Sequence, residues 1–196
     1  MAKFAITSAD ILPYAQYASE RKTRRAAITD LKRPRRIAVG PFATFYFENF
    51  ATMLHQVHEM LHIERGGAEQ LADELAAYNP LIPQGSELVA TLMFEIDDEV
   101  RRERELRRLT GVETKIHFEV GDIRVDAVVP EGEIERTKAD GKTSSVHFLH
   151  FPFSPEAIRK FRDPSVRVML AITHENYGHM ALVDGAARAS LTADFA

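Results

Sequence analysis

The sequence contains no cysteine, and this absence excludes several kinds of site. Disulfides, thiol nucleophiles, thiolate-bound zinc and an iron–sulfur cluster of the chain's own all require a thiolate. A metal ion would have to be bound by histidine, carboxylate, tyrosine or backbone oxygen, which are donors that suit iron, manganese or zinc. The histidines and the acidic residues are therefore the main candidate ligands for a metal ion.

The sequence also lacks any apolar run of the roughly 20 residues that a membrane span requires. Lys3, Asp10 and Pro13 interrupt the N-terminal region, which consequently has no signal-peptide core. The apolar fraction of 45% is that of an ordinary globular protein with a buried core. We therefore expect a cytoplasmic protein that makes no contact with a membrane.

No charge of one sign dominates the chain, whose net charge is −4, but the charges are unevenly distributed. Between Glu20 and Arg36 there are eight cations and two carboxylates, so this segment carries +6 and the rest of the chain −10. The basic segment Arg21 to Arg36 can bind phosphate, nucleic acid or an acidic protein, or it can pair with the acidic excess elsewhere. No recognised nucleic-acid motif accompanies it, so a nucleic-acid partner is not favoured.

The periodicity of apolar residues changes along the chain. Helical spacing and end signals predict helices over residues 8–31, 45–65 and 68–78, and shorter ones over 98–109 and 155–162. Alternation predicts strands over 37–39, 88–96, 116–127 (as a hairpin), 146–151 and 166–173, with a loop over 131–143 and a turn at 184–185. We predict a single α+β domain over 1–196, in which a mostly helical part, 1–82, packs on a mainly antiparallel sheet formed by 83–196.

The second predicted helix carries the most concentrated chemistry. Its segment from His58 to His62 has the H-E-x-x-H pattern, in which two histidines one turn apart can bind zinc and the glutamate can polarise a metal-bound water. Projection of the helix places five metal-competent side chains on one face, opposite the apolar stripe: Glu48, His55, His58, Glu59 and His62. The alternative is an ordinary solvated polar face. A third zinc-binding histidine is missing, since Ala68 occupies its usual position.

Two further histidine positions lie in the strand-rich part. His147 and His150 are three residues apart in a strand-like run, so that they point to opposite faces and cannot bind one metal together. His174 follows a buried strand at a turn, where ligand-binding residues are common but where turn chemistry explains the neighbouring residues equally well.

Six segments together resemble an uncharacterised bacterial family, domain of unknown function 3501. They are residues 32–41 (KRPRRIAVGP), 47–48 (FE), 56–64 (QVHEMLHIE), 77–83 (AYNPLIP), 90–93 (ATLM) and 145–149 (SVHFL) with Phe151. The resemblance implies that Glu48, Gln56, Glu59, Glu64, His147 and His174 belong to the family pattern. It also implies that His58 and His62 are particular to this sequence, which weakens the protease interpretation and favours the carboxylates. Family members are found beside rubrerythrin-like and iron–sulfur redox proteins, which suggests such partners.

The leading hypothesis is a metal-binding or accessory protein linked to a non-haem iron redox or oxidative-stress system. Iron, manganese or zinc would be bound by Glu48 and Glu59, joined by His55, His58 and His62, with His147 or His174 approaching from the sheet. One alternative is a zinc-dependent hydrolase that uses Glu59 as its base. The other is a metal-free binding module whose basic N-terminal helix docks an acidic partner.

Overall fold

The structure, a computed structural model, describes residues 3–130 and 141–196. These residues contain six α-helices and eight β-strands. The helices are α1 (Tyr14–Lys32), α2 (Phe50–Glu64), α3 (Gly67–Tyr78), α4 (Glu99–Arg108), α5 (Pro155–Arg162) and α6 (Gly185–Thr192). The strands are β1 (Arg36–Val39), β2 (Ala43–Glu48), β3 (Glu87–Phe94), β4 (Ile116–Val120), β5 (Ile123–Asp126), β6 (Val146–Pro152), β7 (Val168–His174) and β8 (Tyr177–Leu182). The predicted α+β fold is confirmed, with helices and strands interleaved along the chain.

The strands form two antiparallel four-stranded sheets, in the orders β1-β2-β3-β6 and β5-β4-β7-β8. Their inner faces share one apolar cluster, because alternate residues of each strand point inward. Aromatic rings from three strands meet there: the ring centre of Phe118 lies 5.8 Å from that of Phe47 and 4.9 Å from that of Phe151. The two sheets therefore form a sandwich with an aromatic centre.

Hydrogen bonds also join the two sheets along both edges. At one edge the Tyr177 hydroxyl donates to the Val39 carbonyl at 2.8 Å and accepts the backbone N–H of Ala43 at 3.1 Å. At the other edge the backbones of Val128 and His150 exchange two hydrogen bonds of 2.7 and 2.9 Å. These contacts pair backbone groups that an open sheet edge would leave exposed.

Helices α2 and α3 cover the outer face of the β1-β2-β3-β6 sheet. A second apolar cluster places Met53 and Val57 of α2 against Val89 and Phe148 of the sheet, and the predicted apolar side of this helix is thereby confirmed. Helix α1 lies on α2 but buries fully only Tyr17. None of the helices in the described part combines the length and the apolar composition that a membrane span requires.

The predicted start of the second helix was wrong. Residues 43–48 form strand β2, and α2 begins only at Phe50 behind a capping box in which Asn49 and Thr52 bind each other's backbone N–H groups. Phe45 and Phe47 are two residues apart, a spacing that places both side chains on one face of a strand, and both rings lie in the core between the sheets. Glu48 therefore ends a strand, and its projected place on the helical face was also wrong.

Smaller differences occur at the chain ends. The predicted helix over 8–31 is divided at Pro13, with a short 3-10 turn (Ser8–Asp10) before it and α1 after it. The predicted turn at Asp184 and Gly185 is the start of α6, and strand β8 was not predicted. Most of the predicted loop over 131–143 lies outside the described residues.

A buried arginine joins the helical layer to the end of the chain. Arg35 is only 2% exposed, and its guanidinium donates to the carbonyls of Phe47 at 2.9 Å and Glu48 at 3.0 Å. It also donates to the Ser190 carbonyl at 3.2 Å and forms an ion pair with Asp194. Burial raises the pKa of Asp194, while the Arg35 charge acts in the opposite direction. One planar group thus holds together the residues after α1, the end of β2 and α6.

Replacement of this arginine by lysine should be costly. We expect Arg35→Lys to lower the free energy of unfolding by about 2–4 kcal/mol, because an ammonium cannot reach all of these acceptors and leaves some of them buried and unpaired. The matched control is Arg33→Lys at a side chain that is 76% exposed, and it should change stability by less than about 0.5 kcal/mol. Urea denaturation measures both, and equal effects would contradict the role assigned to Arg35.

Candidate functional site

A pocket of about 470 Å³ lies between α1, α2, α3 and the chain that precedes α1. We call it the helical pocket. Its aliphatic wall consists of Ile11, Leu12, Leu61 and Leu71, and its ring wall of Tyr14, Tyr17, His58 and His62. Arg65 and Gly67 complete the lining. The volume falls within the range of small-molecule sites, and so does the mixture of many apolar groups with few polar ones.

The rings of the helical pocket form a continuous stacked wall. Tyr17 stacks on His58 with ring centres 4.7 Å apart, and Tyr14 stacks on His62 at 5.2 Å. Tyr17 also meets His62 edge-on at 5.9 Å, so the two stacks are joined. The Arg65 guanidinium lies 5.2 Å from the centre of the Tyr14 ring and extends the wall with a cation–π contact.

Both ring nitrogens of His58 are engaged by backbone groups. Nδ1–H donates to the Leu54 carbonyl at 2.9 Å, and Nε2 accepts the N–H of Leu12 at 3.0 Å. These partners fix the neutral tautomer that is protonated on Nδ1. Burial also lowers the pKa of His58, which favours the same neutral form. A metal could bind this histidine only if one of these hydrogen bonds were broken.

The carboxylate of Glu59 is hydrogen-bonded to side chains of α1. It accepts two hydrogen bonds from the Arg21 guanidinium, both of 2.8 Å, and a third of 2.7 Å from the Tyr17 hydroxyl. Above all the Arg21 hydrogen bonds lower the pKa of Glu59 from its ordinary value of 4.5 to about 2. Burial, and then the bond to Glu59, raise the pKa of Tyr17. A carboxylate with so low a pKa is a weak general base at neutral pH, so this geometry does not support the hydrolase hypothesis.

Two other predicted residues of the helix region are Glu48 and His55. Glu48 is separated from the H-E-x-x-H segment, and His55 is half-buried beside it. Glu48 is 6% exposed and lies under the start of α2, where its carboxylate accepts hydrogen bonds from the hydroxyls of Thr52 at 2.6 Å and Thr91 at 2.9 Å. His55 lies on α2, and partial burial lowers its pKa. Glu48 thus belongs to the contact between helix and sheet.

The histidines of the sheets serve local structure. His147 lies inside the sandwich and His150 on the outer face beside Glu87, which confirms their predicted opposite orientation. The Nε2–H of His147 donates to the Ser144 carbonyl at 2.9 Å. His174 donates from Nε2 to the Thr110 carbonyl at 3.1 Å and accepts the Asn176 N–H on Nδ1 at 3.2 Å. It therefore ties the β7–β8 turn to the loop after α4.

The described residues contain no group of three or more histidine and acidic side chains that could hold a metal ion. The structure brings His58, Glu59 and His62 to one helix face, but it does not bring Glu48, His147 or His174 to them. The ring and cation partners Tyr14, Tyr17, Arg21 and Arg65 were missed as site residues. The spacing of three and four residues from Tyr14 to Tyr17 to Arg21 is a one-face helical pattern, and this signal could have found three of them.

The comparisons with known proteins agree with this fold. A family model described as "Protein of unknown function (DUF3501)" matches residues 5–195. The chain belongs to this family. The DUF3501 protein is also similar to a crystal structure from Burkholderia pseudomallei, titled a novel protein of unknown function, at 33% identity and a TM-score of 0.89. The match covers 98% of this chain and 100% of the other. No protein with a curated description matches the chain.

The Glu59 contacts give this DUF3501 protein a defined acid sensitivity. Because the pKa of Glu59 is lower in the folded chain than in the unfolded one, its stabilisation is present above 4.5 and is lost as the pH falls toward about 2. We expect Glu59→Gln to lower the free energy of unfolding by about 1–2 kcal/mol at neutral pH, and the difference from the wild type to vanish in acid.

Urea denaturation at a series of pH values measures this difference. Glu64→Gln on the same helix is the matched control, since within the described residues the carboxylate of Glu64 accepts one hydrogen bond, from the Gln70 amide at 3.1 Å. A Glu59→Gln deficit that persists unchanged at the lowest pH would show that the carboxylate acts through packing and not through its charge.

The hydrogen bonds of His58 and Glu59 also lead to an expectation for metals. We expect zinc, manganese or ferrous iron to leave the thermal midpoint of this protein unchanged, because a metal stabilises only if it binds the folded chain. Metal analysis after purification without a histidine tag completes the test. A stoichiometric metal that is lost in His58→Gln would contradict the expectation and restore the metal hypothesis.

Proposed function

We propose that this DUF3501 protein binds a small molecule in the helical pocket. The observation that carries the proposal is the pocket itself, a volume of about 470 Å³ walled by aliphatic side chains and stacked rings. Such walls stabilise a ligand by burying its apolar surface and by stacking on it. The few polar groups, His62 and Arg65, are suited to orient a ligand.

The position of the pocket in the fold also supports binding. The aromatic core lies in the sandwich, whereas the pocket lies in the layer of α1, α2 and α3 outside it. Helix α1 buries only Tyr17 fully and leaves open space beside it over α2. A ligand in this space would add the apolar contacts that α1 otherwise lacks.

A binding role is preferred to catalysis because the candidate catalytic groups already have partners. His58 has both ring nitrogens bound, and Glu59 is held by Arg21 and Tyr17. A link to a rubrerythrin-like or iron–sulfur redox partner remains a prediction from the sequence. A bound iron, manganese or zinc is also predicted from the sequence, but the hydrogen bonds of His58 and Glu59 argue against it. An accessory role in such a redox system is compatible with a ligand pocket.

A pocket-filling substitution tests the proposal. Isothermal titration calorimetry would measure the binding of naphthoate and of its neutral amide, naphthamide, two flat apolar probes. Leu71→Phe places a larger side chain in the pocket lining, and we expect it to weaken binding of either probe at least about tenfold. The matched control is Leu182→Phe on β8, where the leucine is 51% exposed and lies outside the pocket.

Circular dichroism would establish that both variants are folded. The proposal predicts a binding defect in Leu71→Phe and wild-type affinity in Leu182→Phe. Absence of binding of both probes to the folded wild-type protein, or equal affinity in all three proteins, would overturn the assignment of the pocket.

A further inference from the structure

The surroundings of the helical pocket are positively charged although the whole chain carries −4. His62 lines both the pocket and an adjoining open cleft on α1, whose lining includes Arg21, Lys22 and Arg25. We call this second space the basic cleft. Arg65 supplies a cation to the pocket itself. Among the described residues, no carboxylate lines either space.

We propose that the ligand is a free organic anion, with an apolar and preferably aromatic body in the helical pocket and its anionic group directed past His62 toward the cations of the two adjoining spaces, Arg65 in the pocket and Lys22 and Arg25 in the basic cleft. This inference rests on the proposed function of the pocket and names the class of ligand. The apolar and ring-lined walls select the body of the ligand, and the cations select its charge.

The cations of the basic cleft differ in how they are paired. Arg21 is neutralised by Glu59. Four other cations of the basic segment have carboxylate partners, namely Arg24, Arg33, Arg35 and Arg36. Within residues 3–130 and 141–196, Lys22 and Arg25 have no such partner. The acidic excess of the chain therefore leaves these two cations of the cleft available to an anion.

Two features near the place where the helical pocket meets the basic cleft indicate the same ligand chemistry. The Nδ1 atom of His62 is buried and has no hydrogen-bond partner among the described residues. Since such atoms are rarely left unpaired, a rotation of the His62 ring that turned this nitrogen toward a bound ligand would gain a hydrogen bond. His62 lies where the apolar walls and the cationic lining meet, which is where the polar end of an amphipathic ligand belongs.

The backbone of Arg65 is the second feature. Arg65 has a φ of 57°, and it is the one non-glycine residue with positive φ in the described part of the chain. Glycine is the usual residue at this position after a helix, because a side chain is disfavoured in the left-handed region. An arginine held there, with its guanidinium over Tyr14, is consistent with selection for the charge at this place.

Calorimetry with two probes of the same shape separates the charge from the body. Naphthoate and naphthamide differ at the carboxylate, and we expect naphthoate to bind more tightly to the wild-type protein, by about tenfold at low salt. The advantage should shrink as the salt concentration rises, because the basic cleft is open to solvent and its cations are screened by salt.

Substitutions then locate the anion. Arg25→Glu should weaken naphthoate binding by about fivefold or more and leave naphthamide binding unchanged. The matched control is Arg33→Glu in the same basic segment, which reverses one charge outside both spaces and should have little effect. Arg65→Gly relieves the left-handed backbone, so loss of naphthoate affinity in this variant cannot be attributed to misfolding.

Four outcomes decide the question. A preference for naphthoate that Arg25→Glu and Arg65→Gly reduce, and Arg33→Glu does not, supports the inference. Equal binding of naphthoate and naphthamide keeps the proposed function and overturns the anionic class. Failure of both probes to bind the folded wild type overturns the pocket assignment as well. Binding to anionic phospholipid vesicles without binding of soluble naphthoate overturns a free ligand in favour of a membrane surface.

Discussion

The buried guanidinium of Arg35 is the interaction on which the arrangement of the helical layer depends. It lies where α1 has ended and β1 is about to begin, and it binds carbonyls of β2 and the carboxylate of Asp194 after α6. A buried charge is tolerated only when it is fully hydrogen-bonded and paired, so these groups must remain in place together. Since α1 ends at this anchor, the direction in which α1 crosses α2 is largely set by it.

The second fixed point of α1 is the ion pair between Arg21 and Glu59. Together with the Tyr17 hydroxyl it holds the middle of α1 over α2, while the rest of the helix remains largely exposed. The same pair decides the chemistry of the H-E-x-x-H segment, because it occupies the glutamate that a hydrolase would need. The spacing of the motif is present, but side chains of α1 engage the glutamate, and the first histidine is bound by the Leu54 carbonyl of its own helix and by the Leu12 N–H before α1.

Several elements could be predicted from the sequence, because their signals are local. The apolar side of α2 follows from helical spacing, and β3 and β6 follow from alternation. The strand that holds Phe45 and Phe47 was missed although their spacing of two residues is a local strand signal, and the cap formed by Asn49 and Thr52 is a further local signal of where α2 begins. The helical pocket could not be predicted, since it arises from contacts between residues far apart in sequence, such as Arg21 with Glu59 and Leu12 with His58. Glu48 was placed on the wrong element for a local reason, because the second helix was predicted to begin at residue 45 and not at Phe50.

The amide side chain of Asn79 gives the pocket an unusual dependence on the beginning of the chain. It accepts a hydrogen bond from the N–H of Ile6 at 2.7 Å and donates one to the carbonyl of Ile6 at 3.0 Å, so one side chain binds both backbone groups of this residue. The segment held in this way continues to Ile11 and Leu12, which form part of the pocket wall. Fraying of the first dozen residues would therefore dismantle the cavity while the β-sandwich stayed intact, so that ligand capture and global folding can be lost separately.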